Sequence, residues 1–291
     1  IPVIPFKGPV LAAALYGDVT LREFYDLDIL VRKEDVGRAT ELILSQGYRH
    51  DGHAMCATPF KRDWKFVGVN GEAMVELHWR FTWPCSFFPI DYTRLWRRIE
   101  EVRLMGHAVP SLSAEDVLLV LCAHAVEHCW TELSLVCDVA GLVSAQHDLN
   151  WVSVVEQARK GGKRRLLLGL LLARGLLGTV IPEGASAQIA ADRHLNLLGT
   201  EVRRQILAAE PPAIGHVERC GFVLRTMDRL RDRVFVCLGI LHHGITPNEH
   251  TRSIVRLPRY LHWLYYAIHP LRLATTYGWR SLKYLLGCGR P

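Results

Sequence analysis

Asp26 and Asp28 alternate along the apolar run Tyr25-Asp26-Leu27-Asp28-Ile29-Leu30-Val31. In an extended strand residues two apart project from the same side, so the two carboxylates stand together, roughly 6–7 Å apart along the chain, while Leu27, Ile29 and Val31 face the other way. Two anions on one face repel each other. A divalent cation between them reverses that repulsion, and carboxylate oxygens are the hard ligands that magnesium prefers. A third carboxylate comes from the stretch Ala73 to Arg80, where Ala73, Val75, Leu77 and Trp79 form one apolar face and Met74, Glu76, His78 and Arg80 the opposite one. If this strand lies beside the aspartate strand, Glu76 joins the same cluster. Three such carboxylates suit phosphoryl chemistry with two ions about 3.5–4 Å apart, which stabilise the attacking and leaving oxygens of an in-line displacement.

Glu76 has a competing explanation. The Asn70-Gly71 dipeptide tolerates the positive φ angles of a two-residue hairpin turn, and that turn sets Lys65 opposite Glu76 and Asp63 opposite His78 as ordinary cross-strand charge pairs. Upstream, Phe6-Lys7-Gly8-Pro9 reads as a strand ending at a glycine turn and entering a helix. Such a turn presents backbone N–H groups and the positive end of the helix dipole to an anion, with glycine allowing close approach. Lys7 and Gly8 are therefore candidate phosphate-binding residues. Arg22, four residues before Asp26, has the forked donors to reach a triphosphate, or is a solvated surface arginine.

His124 and His128 stand four apart, on one face of a helix. With Asp138 they imitate a zinc site, but Ala125 occupies the position of the glutamate in an H-E-x-x-H signature. A packed or nucleotide-facing pair is the better reading, and His124 and His128, like His78, are candidates to line a cleft between the domains. Arg256, Arg259, Arg272, Arg280 and Lys283 are interleaved with Tyr260, Trp263, Tyr265, Tyr266 and Trp279. That mixture is compatible with an interfacial surface. The plainer expectation is a terminal helical segment that lays its aromatics on the helical domain and its arginines in solvent.

The elements that position these residues change character along the chain. Pro2 to Phe6 reads as a strand, Gly8 to Tyr16 as a helix, Asp26 to Arg32 as a strand and Glu34 to Gln46 as an amphipathic helix stopped by Gly47. The hairpin Trp64 to Val69 and Glu72 to Arg80 follows. From about Ser111 strand signals largely vanish. Ser113-Ala114-Glu115-Asp116 opens a helix through His128. Further helices are expected over Thr131 to Ala145, Trp151 to Lys160, Arg164 to Leu177, Ala185 to Leu197, Thr200 to Ala209 and Val217 to Leu241, with a proline-punctuated tail from Leu257 to Leu286. The expected fold is α+β: a mixed-sheet domain over residues 1–110 and an all-helical domain over residues 111–291.

At 49% hydrophobic and 22% charged residues the chain has the balance of a folded rather than a disordered protein. Its net charge of +6 suits a polyanionic small ligand and is too mild to imply nucleic acid. Eight cysteines without a C-x-x-C pair read as reduced thiols of a cytoplasmic protein. The longest apolar stretch, Leu166 to Leu177, is broken by Arg174 and falls short of the roughly 20 residues of a membrane helix. The chain opens on a strand without an initiator methionine, which points to sequence upstream.

Pro5-Phe6-Lys7-Gly8, Leu11, Tyr16-Gly17, Arg22, Asp26-Leu27-Asp28-Ile29-Leu30-Val31, Gly47-Tyr48 and Val75-Glu76-Leu77-His78-Trp79 together resemble the uncharacterised nucleotidyltransferase family of the DNA polymerase beta superfamily. His124-Ala125-Val126-Glu127-His128, Leu135 with Asp138, Leu257-Pro258 and Pro270-Leu271-Arg272-Leu273 extend the resemblance over most of the chain. It implies a transferase that uses two magnesium ions and an NTP, ATP foremost. In such an enzyme Gly8 with Lys7 lies at the phosphates, Asp26 and Asp28 bind the metals, and Glu76 completes the site. One departure stands out: many members of the superfamily carry Gly-Ser in the turn, and this chain has Lys7-Gly8-Pro9. The resemblance leaves the acceptor open. It also leaves room for an antitoxin-like regulatory module that keeps the shell without turnover.

Overall fold

A computed structural model describes residues 1–51, 62–69, 74–82, 90–209, 214–247 and 249–285. The Asn70-Gly71 turn, Cys56, Cys85, Cys288, the segment from Pro84 to Pro89 and the side chains of Trp279, Arg280 and Lys283 lie outside the described residues. By its internal contacts the chain divides into two compact units, Ile1–Pro211 and Pro212–Pro291.

The first unit is built on a five-stranded mixed sheet. Its strands are β1 (Val3–Pro5), β2 (Asp26–Val31), β3 (Arg49–His50), β4 (Asp63–Val67) and β5 (Met74–His78). They lie side by side in the order β1-β2-β5-β4-β3. β2 and β5 are parallel and every other neighbouring pair is antiparallel. A parallel pair cannot be joined by a tight turn, so helix α2 (Val36–Ser45), β3 and β4 all fall between β2 and β5. The β2–β5 register sets Asp28 beside Glu76 and Leu30 beside His78. β4 pairs with β5 so that Lys65 opposes Glu76 and Asp63 opposes His78, the register that a two-residue turn requires.

Strand alternation separates a core face from a polar one. Val31, Trp64, Phe66, Val75 and Leu77 pack with Ala39 of α2 into one buried cluster, joined by Leu27, Ile29, Val36 and Ile43. Each such side chain fully buried contributes about 1.5–3 kcal/mol, so this face fixes the register that the other face must live with. Helix α1 (Gly8–Tyr16) follows β1 directly, with Pro9 in its first turn and Gly17 closing it at φ 69°.

A short helix α3 (Tyr92–Arg97) and a two-stranded hairpin, β6 (Glu100–Leu104) with β7 (His107–Ser111), come next. The hairpin had no counterpart among the expected strands. Its signal was Met105-Gly106, which adopts φ 50° and 85°, the paired positive angles of a type I′ turn. The remainder of the unit is helical: α4 (Ala114–Glu127), α5 (Leu133–Ala145), α6 (Trp151–Ala158), α7 (Lys163–Leu177), α8 (Glu183–Ala191) and α9 (Arg193–Ile206). Ser113 caps α4 by accepting from the Asp116 N–H, as its sequence indicated. The α8–α9 break falls at Asp192, earlier than expected, because Asp192 caps α9 by accepting from the Leu195 N–H. The protein is α+β.

The second unit contains α10 (His216–Arg225), α11 (Leu230–Ile245), α12 (Glu249–Ile254), a 3-10 turn (Arg259–Leu264) and α13 (Tyr265–Leu285). The single helix expected over Val217 to Leu241 is two helices, parted between Thr226 and Arg229. Tyr265 is buried, and its hydroxyl donates to the Val255 carbonyl at 2.7 Å and accepts from the Leu257 N–H at 3.0 Å. Among the described residues no helix is long and apolar enough to cross a membrane. Cys122, Cys129, Cys137, Cys220 and Cys237 are free thiols.

Candidate active site

The polar face of the sheet gathers three buried side chains. Asp28 is 1%, Glu76 7% and His78 2% exposed. His78 Nε2 lies 2.9 Å from Asp28 Oδ1 and 3.3 Å from Glu76 Oε2, so the imidazole bridges the two carboxylates. Phe6 meets the imidazole edge-on at 5.2 Å and limits how the ring turns. His78 Nδ1 is buried without a hydrogen-bond partner, with Asp63 Oδ2 4.0 Å away.

Basic groups surround the trio. Lys7 Nζ sits 2.9 Å from Asp28 Oδ2, and Lys65 pairs with Glu76 Oε1 across the β4–β5 ladder. The competing explanation for Glu76 is therefore realised in the fold. Burial works against the charged forms, but the effects of these neighbours outweigh it. Burial would raise the Asp28 carboxyl, yet the Lys7 charge and the His78 hydrogen bond hold it well below the usual range. Glu76 is brought down to about 2 against the effect of burial, by hydrogen bonds from His78 and Lys65. Burial would lower His78, and its bonds to Asp28 and Glu76 raise it instead.

Asp26 shares the face with Asp28 but is only half-buried. Burial first and the Asp28 charge second push its carboxyl upward. Among the described residues, the group of His, Cys, Asp and Glu whose ligand atoms lie within 4.8 Å of one another is Asp28, Glu76 and His78. Asp26 stands outside it. These donors fit a divalent cation chemically: two carboxylates supply hard oxygens, and a buried imidazole nitrogen faces the same point.

The glycine turn lies against the aspartate strand. Phe6 donates its N–H to the Asp28 carbonyl at 3.2 Å. Gly8 has φ 58°, and a Cβ added there would come 3.1 Å from the Asp26 carbonyl oxygen. Only glycine meets both conditions without strain. Lys7 is the N-cap of α1 and makes no side-chain cap hydrogen bond, because an ammonium has no acceptor to offer the helix N–H groups; it reaches Asp28 instead.

Arg22 is held elsewhere. Its Nε and Nη2 donate to Asp138 Oδ1 and Oδ2 at 2.8 and 2.9 Å, a forked pair that ties the loop before β2 to α5. Asp138 is thereby engaged by an arginine. His124 and His128 lie at the C-terminal end of α4 with ring centroids 4.4 Å apart. Burial, then the charges of Lys7, His128, Arg62 and His78, lower the His124 pKa well below its ordinary value and keep the ring neutral.

One residue that the sequence did not single out, Arg62, completes the surroundings. Arg62, 9% exposed, donates to the Phe81 carbonyl at 2.7 Å, pairs with Glu127 at the end of α4, and reaches Asp63 Oδ2 at 3.1 Å. A chain of charges thus runs from Glu127 through Arg62 and Asp63 to His78. The signal for it was weak: an arginine at the start of an apolar strand and a carboxylate at a helix C-terminus, where the dipole disfavours it.

The model of a family described as an uncharacterised nucleotidyltransferase matches residues 1–178. That span contains the five-stranded sheet, the polar cluster and helices α4 to α7, whereas the tail segments around Leu257-Pro258 and Pro270-Leu271 lie beyond it. No curated protein and no solved structure matches the chain.

Proposed function

The chain belongs to the uncharacterised nucleotidyltransferase family, and from that premise we propose that it moves a nucleoside monophosphate from an NTP, with ATP as the expected donor, to an acceptor hydroxyl. The acceptor oxygen bonds to the α-phosphorus, the bond from that phosphorus to the bridging oxygen breaks, and pyrophosphate leaves with those electrons. The observation that carries this reading is the meeting of Asp28, Glu76 and His78 on one face, with the Lys7-Gly8 turn lying against the same strand.

In this reading Asp26, Asp28 and Glu76 hold two magnesium ions, and His78 orients Asp28 and Glu76. Bound magnesium supplies charge neutralisation for the phosphates and the developing pyrophosphate. Gly8 lets the phosphates approach the backbone, and Lys7 turns from Asp28 toward them. Glu76 either serves as a ligand alone or also helps take the acceptor proton. Arg22, engaged by Asp138, acts by fixing the loop that leads into the aspartate strand rather than by touching phosphate. Residues 1–110 supply the catalytic apparatus and the helical residues 111–291 supply recognition of the acceptor or of a partner, in the cytoplasm where NTPs are abundant.

One observation favours a second reading. Lys7, Lys65 and His78 already compensate Asp28 and Glu76, which suits a module that binds nucleotide without turnover, as an antitoxin-like regulator does. Incubating the purified protein with each α-labelled NTP, magnesium and a cell lysate decides between them. Label appearing on a small molecule or protein supports transfer and identifies the acceptor. Nucleotide binding without any labelled product, in every NTP, overturns transfer in favour of the regulator.

A further inference from the structure

The charge of the chain is unevenly divided. Residues 212–291 carry twelve Lys and Arg against four Asp and Glu, a net of +8, while residues 1–211 carry 23 against 25, a net of −2. Beyond Glu249 there is no acidic residue at all, and seven basic ones follow. The second unit therefore holds all of the excess positive charge.

The same stretch exposes large aromatics in a row. Tyr260, Trp263 and Tyr266 follow one another at spacings of three through the 3-10 turn and into α13, and they are 77%, 65% and 55% exposed. In a 3-10 turn residues three apart eclipse, so Tyr260 and Trp263 stand on one side of it, and Tyr266 follows in the first turn of α13 to continue the ridge. Of the described members of the aromatic row expected to pack on the helical domain, Tyr265 is the buried one. Arg256 and Arg259, directly before these aromatics in the chain, are exposed, and Ile254 and Leu271 are exposed elsewhere in the same unit.

We infer that this ridge docks the protein onto a membrane surface rich in anionic phospholipid. Tyr and Trp are the residues that settle at the headgroup level, with an apolar ring body and a polar tip, and arginines beside them meet the lipid phosphates. Single-stranded RNA would also accept aromatics and arginines. RNA has no use for the exposed apolar side chains of the same unit, Leu230, Leu238, Leu241, Ile254 and Leu271, whereas the acyl boundary of a bilayer takes such residues, and that distinction favours lipid. With no described helix fit to span, the mode is association with the surface. This inference is independent of the transfer reaction.

The test is co-sedimentation of the full chain with vesicles of phosphatidylcholine alone or with about one-third phosphatidylglycerol. Binding is expected only to the anionic vesicles, lost in high salt, and weakened by about tenfold or more in Arg256→Glu/Arg259→Glu, since each basic side chain near such a surface contributes on the order of a several-fold factor. Tyr260→Ser/Trp263→Ser should weaken it as well, and because all four side chains are exposed, circular dichroism should show both variants folded. Failure to bind anionic vesicles overturns the proposal. So does binding indifferent to the aromatic pair, which would be charge attraction alone, and so does release of the protein from vesicles by a single-stranded RNA oligonucleotide.

Discussion

The ammonium of Lys7 stands 2.9 Å from Oδ2 of Asp28, in the side-chain layer where the sheet gathers its carboxylates. A buried aspartate at the centre of a proposed metal site is thus neutralised by the residue proposed to hold phosphate, so cation binding and lysine release are coupled. Lys7→Met should tighten magnesium binding to the nucleotide-free protein and raise KM for the NTP. Calorimetric titration with magnesium alone, alongside steady-state kinetics, checks both signs, and weaker magnesium binding in the variant would refute the coupling.

Asp28→Asn should lower magnesium-dependent transfer by about 10²–10³-fold, the scale on which removal of an electrostatic group at a reacting centre is felt. The amide is isosteric, so the circular dichroism spectrum should not change. Near-normal turnover by the variant would remove Asp28 from the mechanism.

Gly8→Ala is strained by its φ of 58° and by the Asp26 carbonyl 3.1 Å from the added carbon. We expect a loss of about 1–2 kcal/mol from the backbone conformation alone, read as a lower urea midpoint at constant slope. NTP affinity should fall too, since the turn would withdraw from the aspartate strand.

Arg62→Met leaves Glu127 buried at the end of α4 without its main counter-charge. Breaking a buried pair from one side costs about 3–5 kcal/mol. The double variant Arg62→Met/Glu127→Gln should recover a measurable part of that loss in a double-mutant cycle. Simple additivity would show that the pair is not coupled.

His124 sets a pH dependence with a definite sign. Its folded pKa lies below the ordinary value of about 6.5, so on acidification the unfolded chain takes up this proton before the folded one, and stability falls as pH drops below that value. His78, raised in the fold, contributes in the opposite sense: its stabilisation is present at low pH and is lost as pH rises through its folded pKa. His124→Asn should therefore flatten the fall in urea midpoint between pH 7 and 5.5, whereas an unchanged slope would mean that His124 is not held neutral.

Strand alternation made much of the site legible beforehand. Asp26 shares a face with Asp28, and Glu76 with His78, because the period of a strand is two, and the two-residue turn expected at Asn70-Gly71 predicts by its length the observed register of Lys65 opposite Glu76. The β6–β7 hairpin carries only a short alternation, Val102 and Leu104 in β6 and Val109 in β7 between exposed residues, too brief a pattern to predict a strand pair. Arg22 and Asp138, 116 residues apart, and Arg62 and Glu127, 65 apart, carry no periodic signal that links them.

Local rules, then, were enough for the chain to determine by itself its α+β character, the glycine turn, and which carboxylates face together. The pairing of β2 with β5 was left to the tertiary structure, because parallel strands join across a long connection whose geometry no local pattern encodes. That pairing decided that His78 bridges Asp28 and Glu76, and the fold beyond the sheet register decided that Lys7 meets Asp28 and that Arg62 meets Glu127. A buried charge takes its partner from whichever element the fold brings within a few ångströms, and sequence distance does not enter that energy.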